Sequence, residues 1–128
     1  MKQILLVDDE ATVRRVLQVA LEKAGFEVST AANGEEALMR LRERSPDVLV
    51  TDIEMPKMDG RTLCETLHAE QPDRSYPIFV VTSLTGREYR SWSDTIENLY
   101  FLEKPISIRK LLGKLTEYTG EYRAPAEA

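Results

Sequence analysis

Residues 48–60 read VLVTDIEMPKMDG, and this stretch decides how the rest of the chain is understood. Val48-Leu49-Val50 is a short β-branched apolar run, the pattern of a strand buried on both faces. It ends in Thr51-Asp52, and Pro56 and Gly60 then mark a loop leading into a helix. An Asp after a strand often does no more than start a turn. A carboxylate at the carboxyl end of a buried strand has a second meaning, because ligands of open α/β sheets bind at that edge. Which reading holds depends on what the other strands carry at their ends.

Working outward, the same grammar repeats. Ile4-Leu5-Leu6-Val7 is a continuous apolar run that stops at Asp8-Asp9-Glu10. Acidic residues suit a helix N-terminus, and a helix follows with Val13, Val16, Leu17, Ala20, Leu21 and Ala24 as its apolar stripe and Gly25 as its stop. Phe26 to Ala31 is a second strand. Asn33 and Glu36 form a variant capping box for a helix buried through Ala37, Leu38 and Leu41, ended by Ser45-Pro46. Asp59 can cap a third helix with Leu63, Cys64 and Leu67 inward. His68 lies beside that stripe as a partly exposed residue without a ligand partner.

Residues 71–77 are a loop by composition, and Ile78 to Val81 form a fourth strand ending in Thr82-Ser83. A fourth helix is weakly written: Tyr89, Trp92 and Ile96 are spaced for it, among poor helix formers such as Gly86 and Ser91. Leu99 to Leu102 is a fifth strand ending in Glu103-Lys104-Pro105. Ser107 can cap a last helix that buries Ile108, Leu111, Leu112, Leu115 and Tyr118 and is closed by Gly120. The β-α alternation, five times over, makes a doubly wound parallel sheet of five strands with five helices on its two faces. In the order 2-1-3-4-5 the switch point falls between strands one and three. Residues 2–120 are expected to form one domain, and 121–128 a polar tail or the start of a linker.

Composition bounds the function. Of the 128 residues 42% are hydrophobic and 30% charged, with a net charge of −5, an ordinary globular balance that argues against a nucleic-acid surface. Cys64 is the one cysteine, so an internal disulfide is excluded and a reducing, cytoplasmic setting fits. The chain shows no signal-peptide pattern and no apolar stretch of the ~20 residues that span a bilayer, so no membrane insertion is expected.

The strand ends now decide between the two readings of Asp52. Asp8-Asp9, Asp52, Thr82 and Lys104 all fall on one edge of one sheet. Carboxylates gathered there repel one another, and an oxygen-only donor set relieved by a hard cation suits Mg²⁺. A carboxylate nucleophile beside a metal and a lysine suits phosphoryl transfer, with an aspartyl phosphate as product.

This set, in this order on alternating strands, resembles the response-regulator receiver domain of two-component signalling over about residues 2–120. The matching features are Asp8-Asp9, Asp52 within DIEMPKMDG, Thr82 after an apolar strand, and Lys104-Pro105. The resemblance implies a flavodoxin-like receiver fold. It also implies that Asp52 accepts a phosphoryl group from a histidine kinase or a histidine phosphotransfer protein. Mg²⁺ would be bound directly by Asp9 and mainly through water by Asp8, with Asp52 and the backbone carbonyl of Glu54 completing the set. Lys104 would contact the phosphoryl group, and the Lys104-Pro105 bond would be cis. Thr82 and Phe101 would act as a switch that remodels the face of the fourth helix, fifth strand and last helix for a downstream protein target. Such a domain is not a conventional enzyme; it catalyses its own phosphorylation and slow dephosphorylation.

Three features stand apart from the family pattern. Glu54 and Leu84 should flank the phosphoryl group and alter its dephosphorylation rate. Ile96-Glu97-Asn98-Leu99 replaces the usual small-residue, Gly-containing turn. Trp92 fits either core packing or a partner contact. A flavodoxin-like electron carrier is disfavoured because Asp8-Asp9-Glu10 would repel a flavin phosphate. A haloacid-dehalogenase-like phosphatase would carry its nucleophile on strand one. A receiver-like module without phosphorylation would not need every chemical position filled. With no output domain following, the chain reads as a stand-alone regulator or as a receiver excised from a longer protein.

Overall fold

A computed structural model describes residues 2–82, 92, 95–105 and 107–119. Five parallel strands, β1 (Gln3–Val7), β2 (Glu27–Ala31), β3 (Val48–Asp52), β4 (Ile78–Thr82) and β5 (Leu99–Glu103), form one sheet in the order β2-β1-β3-β4-β5. The described helices are α1 (Ala11–Lys23), α2 (Gly34–Glu43), α3 (Gly60–Glu70) and α4 (Ile108–Thr119). The weakly written helix expected around Tyr89 lies outside the described residues, apart from Trp92 and Ile96, so the last helix carries the label α4. Gly120, expected to close that helix, and the tail at 121–128 also lie outside the described residues.

Side chains alternate between two cores, as the two-residue period of a strand requires. Leu5, Val7, Leu49, Ile78 and Val80 face α2 and α3 and pack with Leu38, Leu41, Leu63, Cys64 and Leu67. Ile4, Leu6, Val48, Val50, Phe79 and Val81 face the other way, with Leu17 and Leu21 of α1 and Leu111 and Leu115 of α4. Every residue of β3 and β4 is buried, so these two central strands read as unbroken apolar runs rather than alternating ones. The register Leu6↔Val50↔Phe79 brings the carboxyl ends of the three central strands level with one another. The described residues include no helix long and apolar enough to cross a membrane.

Helix ends follow the local chemistry. Beyond the Ala24 C-cap, Gly25 has φ +99°, its N–H donates to Glu22 O at 3.0 Å, and the Phe26 N–H donates to Leu21 O at 3.1 Å. These two bonds make a Schellman motif, and they explain why β2 begins at Glu27, one residue later than Phe26. Asn33 accepts from Glu36 N at 2.9 Å, while the Glu36 carboxylate reaches past the cap residue to accept from Ala32 N at 2.7 Å. Asp59 caps α3 by accepting from Thr62 N at 2.8 Å, and Ser107 caps α4 by accepting from Lys110 N at 3.0 Å. Asn98, at φ +59°, occupies the turn into β5 where a glycine was missed. Asn is one of the few side chains that tolerates this left-handed region.

Two apolar stripes are narrower than their sequences imply. Val16 is 53% exposed and Val13 is also at the surface, because Val16 lies about 100° round the helix from Leu17, off the contact face. On α4, Ile108 and Tyr118 are exposed as well, yet Tyr118 still lays its ring against Phe79 and Tyr100, 5.4 and 5.0 Å away between centroids. His68 is half-buried on α3, as its position beside the stripe implied.

Cys64 is fully buried against the sheet, and burial pushes its thiol up to about 12. A raised pKa keeps the thiol protonated through neutral and mildly alkaline pH, leaving roughly a thousandfold less thiolate than a free cysteine. A disulfide reagent at pH 8 should therefore leave Cys64 unlabelled in the native protein and label it fully in denaturant, as read by absorbance of the released thiol.

Candidate functional site

The carboxyl edge of the sheet collects the side chains singled out from the sequence. Asp8 follows β1 directly, and its N–H extends the ladder by donating to Ala31 O at 3.1 Å. Asp52 is the last residue of β3 and is, like Asp8, 5% exposed. Asp9, the residue after Asp8, is exposed. One carboxylate oxygen from each of Asp8, Asp9 and Asp52 lies within 4.8 Å of the others.

Lys104 enters from the end of β5. Its Nζ donates to Asp52 Oδ2 at 3.0 Å, and its backbone N–H donates to Thr82 O at 2.8 Å, which ties the ends of β4 and β5 together. The Lys104–Pro105 peptide bond is cis. The other Asp52 oxygen, Oδ1, accepts from Ile53 N at 2.8 Å. Around these groups lies a cleft of about 320 Å³ lined by Asp9, Glu10, Asp52, Ile53, Glu54, Thr82 and Lys104.

Electrostatics follow from this crowding. Burial raises the Asp8 carboxyl above its ordinary range; the Glu10 N–H opposes that shift, while the neighbouring Asp52 adds to it and Lys104 opposes it. For Lys104, burial would lower the ammonium, but its bond to Asp52 and the charges of Asp52, Asp8 and Glu10 outweigh this and hold it above the usual lysine range. The donors are all oxygens of carboxylates, with an exposed, solvent-facing side at Asp9 and Glu54. That set fits a hard divalent cation that keeps some of its waters.

Glycines allow this edge to close. A Cβ on Gly60 would strike the Asp52 carbonyl oxygen and lie 2.8 Å from Ile53 Cα. Without one, the Gly60 N–H donates to Ile53 O at 2.8 Å and α3 starts directly on the end of β3. A Cβ on Gly34 would lie 2.5 Å from Met58 O, which instead accepts the Gly34 N–H at 3.1 Å. The loop after β3 is thereby pinned between the first turns of α2 and α3.

Asp8, Asp9, Asp52, Glu54, Thr82 and Lys104 all reach this one edge. Phe101 does not line the cleft: it is half-buried on β5, paired in register with Val80, and packs edge-on against Trp92 with ring centroids 5.9 Å apart. Arg61 of α3 stands over the Trp92 ring at 5.8 Å. Trp92 is 6% exposed, which leaves the core-packing reading and little indole surface for a partner. Leu84 lies outside the described residues.

Sequence reasoning passed over Arg14. It sits on α1 about 60° round from Leu17, half-buried, and its Nη1 donates to Asp8 O at 2.7 Å. A basic residue leaning toward the buried stripe was the only signal available for it.

A family model described as the response regulator receiver domain matches residues 4–116. The chain is 46% identical to the probable transcriptional regulator ycf27 of Pyropia yezoensis, over 97% of this chain and 53% of that protein. It thus spans about half the length of the ycf27 proteins that it matches. It is also 28% identical to Protein PilG of Pseudomonas aeruginosa, over 98% of this chain and 93% of that one. Among solved structures, the chemotaxis protein CheY4 of Vibrio cholerae superposes with a TM-score of 0.83 at 30% identity, over 92% of this chain and 98% of that one. The response regulator TrrA of Thermotoga maritima, solved in complex with Mg²⁺-BeF, gives 0.80 at 30% identity, over 92% and 99%.

The two glycine environments give opposite expectations. Gly60→Ala should lower stability by about 1–3 kcal/mol through overpacking against β3. Gly113→Ala on α4, where a Cβ meets nothing within 4 Å, should raise it by up to about 1 kcal/mol through helix propensity. Urea unfolding followed by circular dichroism reads both, and equal effects at the two positions would contradict the close approach at Gly60.

Proposed function

This chain belongs to the response-regulator receiver family, and from that premise we propose that it is a phosphorylation-dependent switch whose acceptor is Asp52. The observation that carries this reading is the contact of Lys104 Nζ with Asp52 Oδ2 at 3.0 Å, in a pocket where Asp8 and Asp9 lie within 4.8 Å.

Asp8, Asp9, Asp52 and the backbone carbonyl of Glu54 would hold Mg²⁺. When bound, the ion would supply charge neutralisation for the phosphoryl oxygens and their alignment with the attacking group. An Asp52 carboxylate oxygen attacks phosphorus of a phosphohistidine on a histidine kinase or phosphotransfer protein. The P–O bond forms as the P–N bond breaks, and the imidazole leaves as the neutral base once it takes up a proton. The Ile53 N–H, fixed on Oδ1 at 2.8 Å, keeps the carboxylate from rotating. Lys104, freed in part from Asp52 as the carboxylate charge is used, turns its ammonium to a phosphoryl oxygen. Thr82, 4% exposed and lining the same cleft, supplies a hydroxyl to another.

The phosphoryl group adds charge and acceptor oxygens, and so favours one of two states already open to the domain. Phe101 reports that change outward. Its ring is tied to Trp92 and, through it, to Arg61 on α3, so movement of β5 repacks the side of the sheet that a downstream protein target would read. Residues 2–120 act as the receiver, with 121–128 a tail or the beginning of a linker. The buried free thiol of Cys64 fits a cytoplasmic place of action.

Incubation with acetyl phosphate and Mg²⁺, followed by intact mass, tests the proposal. Wild type should gain one phosphoryl group, dependent on Mg²⁺, and Asp52→Ala should gain none. A wild type that stays unlabelled under conditions that label another receiver would overturn the assignment.

A further inference from the structure

The acidic residues at the end of β1 need more than their own strand to hold them in place. Asp9 is exposed, carries the same charge as its neighbours, and would swing toward water if the backbone beneath it were free. We propose that Arg14 is the positioning residue for this loop, and that it prepares the Mg²⁺ site by fixing the Asp8 peptide. The proposal rests on the reading of Asp8, Asp9 and Asp52 as the metal-holding residues.

The polar groups around Asp8 are engaged from three directions. Its N–H donates to Ala31 O on β2, its Oδ1 accepts from Glu10 N at 2.9 Å, and its carbonyl accepts from Arg14 Nη1 at 2.7 Å. The peptide that joins Asp8 to Asp9 is planar. Holding its carbonyl oxygen therefore sets the direction in which the Asp9 N–H and Cα leave, and with them the Asp9 carboxylate. Arg14 is itself held: its backbone N–H donates to Glu10 O at 2.9 Å in the first turn of α1. The brace thus runs from the helix to the strand end and back.

Loss of Arg14 removes this tether from the Asp8 carbonyl. The three carboxylates then have to be gathered when Mg²⁺ binds, and that ordering subtracts from affinity. Once Mg²⁺ saturates, the ligands are in place and phosphoryl transfer proceeds as before.

Calorimetric titration of the full, unphosphorylated chain with MgCl₂ separates the possibilities. Arg14→Met keeps the aliphatic stem and its packing but has no donor, and Arg14→Lys keeps one. Arg14→Met should raise the Mg²⁺ dissociation constant roughly tenfold, the lower range for loss of an outer-shell partner, and Arg14→Lys should stay within about threefold of wild type. The rate of acetyl phosphate labelling at saturating Mg²⁺ should match wild type in both. A merely structural role predicts the reverse pattern: a lower melting temperature in EDTA with an unchanged dissociation constant. A dissociation constant for Arg14→Met within twofold of wild type, or a slower labelling rate at saturation, overturns the positioning role while leaving the Mg²⁺ site intact. A wild type that binds no Mg²⁺ overturns it together with the reading on which it rests.

Discussion

Three carboxylates within 4.8 Å of one another are the constraint on which this structure turns. For Asp8 and Asp52, both almost fully buried, repulsion at that separation is worth about 3 kcal/mol at an effective dielectric near 20. A packing-only sheet edge would not retain such a pair. Lys104 offsets part of the cost through its 3.0 Å contact with Asp52. Burial lifts the Asp8 carboxyl above its ordinary range, and the charges of Asp52 and Asp9 add to that shift. A pocket so balanced has two ways to relax: bind a cation, or convert one carboxylate into something else. Under the proposed function the same arrangement would serve both as metal site and as phosphoacceptor.

The scaffold is built to deny the third way, which is to let the acids drift apart. β1 and β3 are paired in register up to Val7 and Thr51, so neither strand end can retreat. Gly60 and Gly34 let the first turns of α3 and α2 close on the loop after β3. The Ile53 N–H and Lys104 each hold one oxygen of Asp52. Each of these last two bonds is modest, at about 1.5–3 kcal/mol for a hydrogen bond to a charged group. Together the restraints hold like charges close before any ligand arrives, the preorganisation that a site for a small, strongly hydrated cation requires.

Much of this was legible in the residues themselves. The unbroken run Val48-Leu49-Val50 gave a central strand, and Ile4 to Val7 and Ile78 to Val81 gave its neighbours, because strands buried on both faces leave no room for polar alternation. Asp59, Ser107 and Asn33 announced helix starts through their side-chain chemistry, and Gly25 announced a stop. The strand ends then placed Asp8, Asp9, Asp52, Thr82 and Lys104 on one edge from topology alone. What stayed hidden depends on contacts between elements distant in sequence. Val13 and Val16 looked buried because periodicity shows an apolar stripe but not the width of the surface that meets it. Tyr118 counted as an inner residue, yet it lies at the surface and covers Phe79 from outside. Arg14 gave no motif, since a hydrogen bond to a backbone carbonyl leaves no trace in the identity of its partner. Asn98 stands where the family has a Gly-containing turn, and its left-handed backbone at φ +59° is one that Asn tolerates.

The most direct test of the central claim is the melting temperature of the unphosphorylated chain as Mg²⁺ is added to a metal-free sample. Relief of carboxylate repulsion by a cation that binds only the folded state predicts a rise with the logarithm of free Mg²⁺ above the dissociation constant, abolished in the double variant Asp8→Asn, Asp9→Asn. A melting temperature indifferent to Mg²⁺, or one that rises equally in wild type and double variant, would contradict the account.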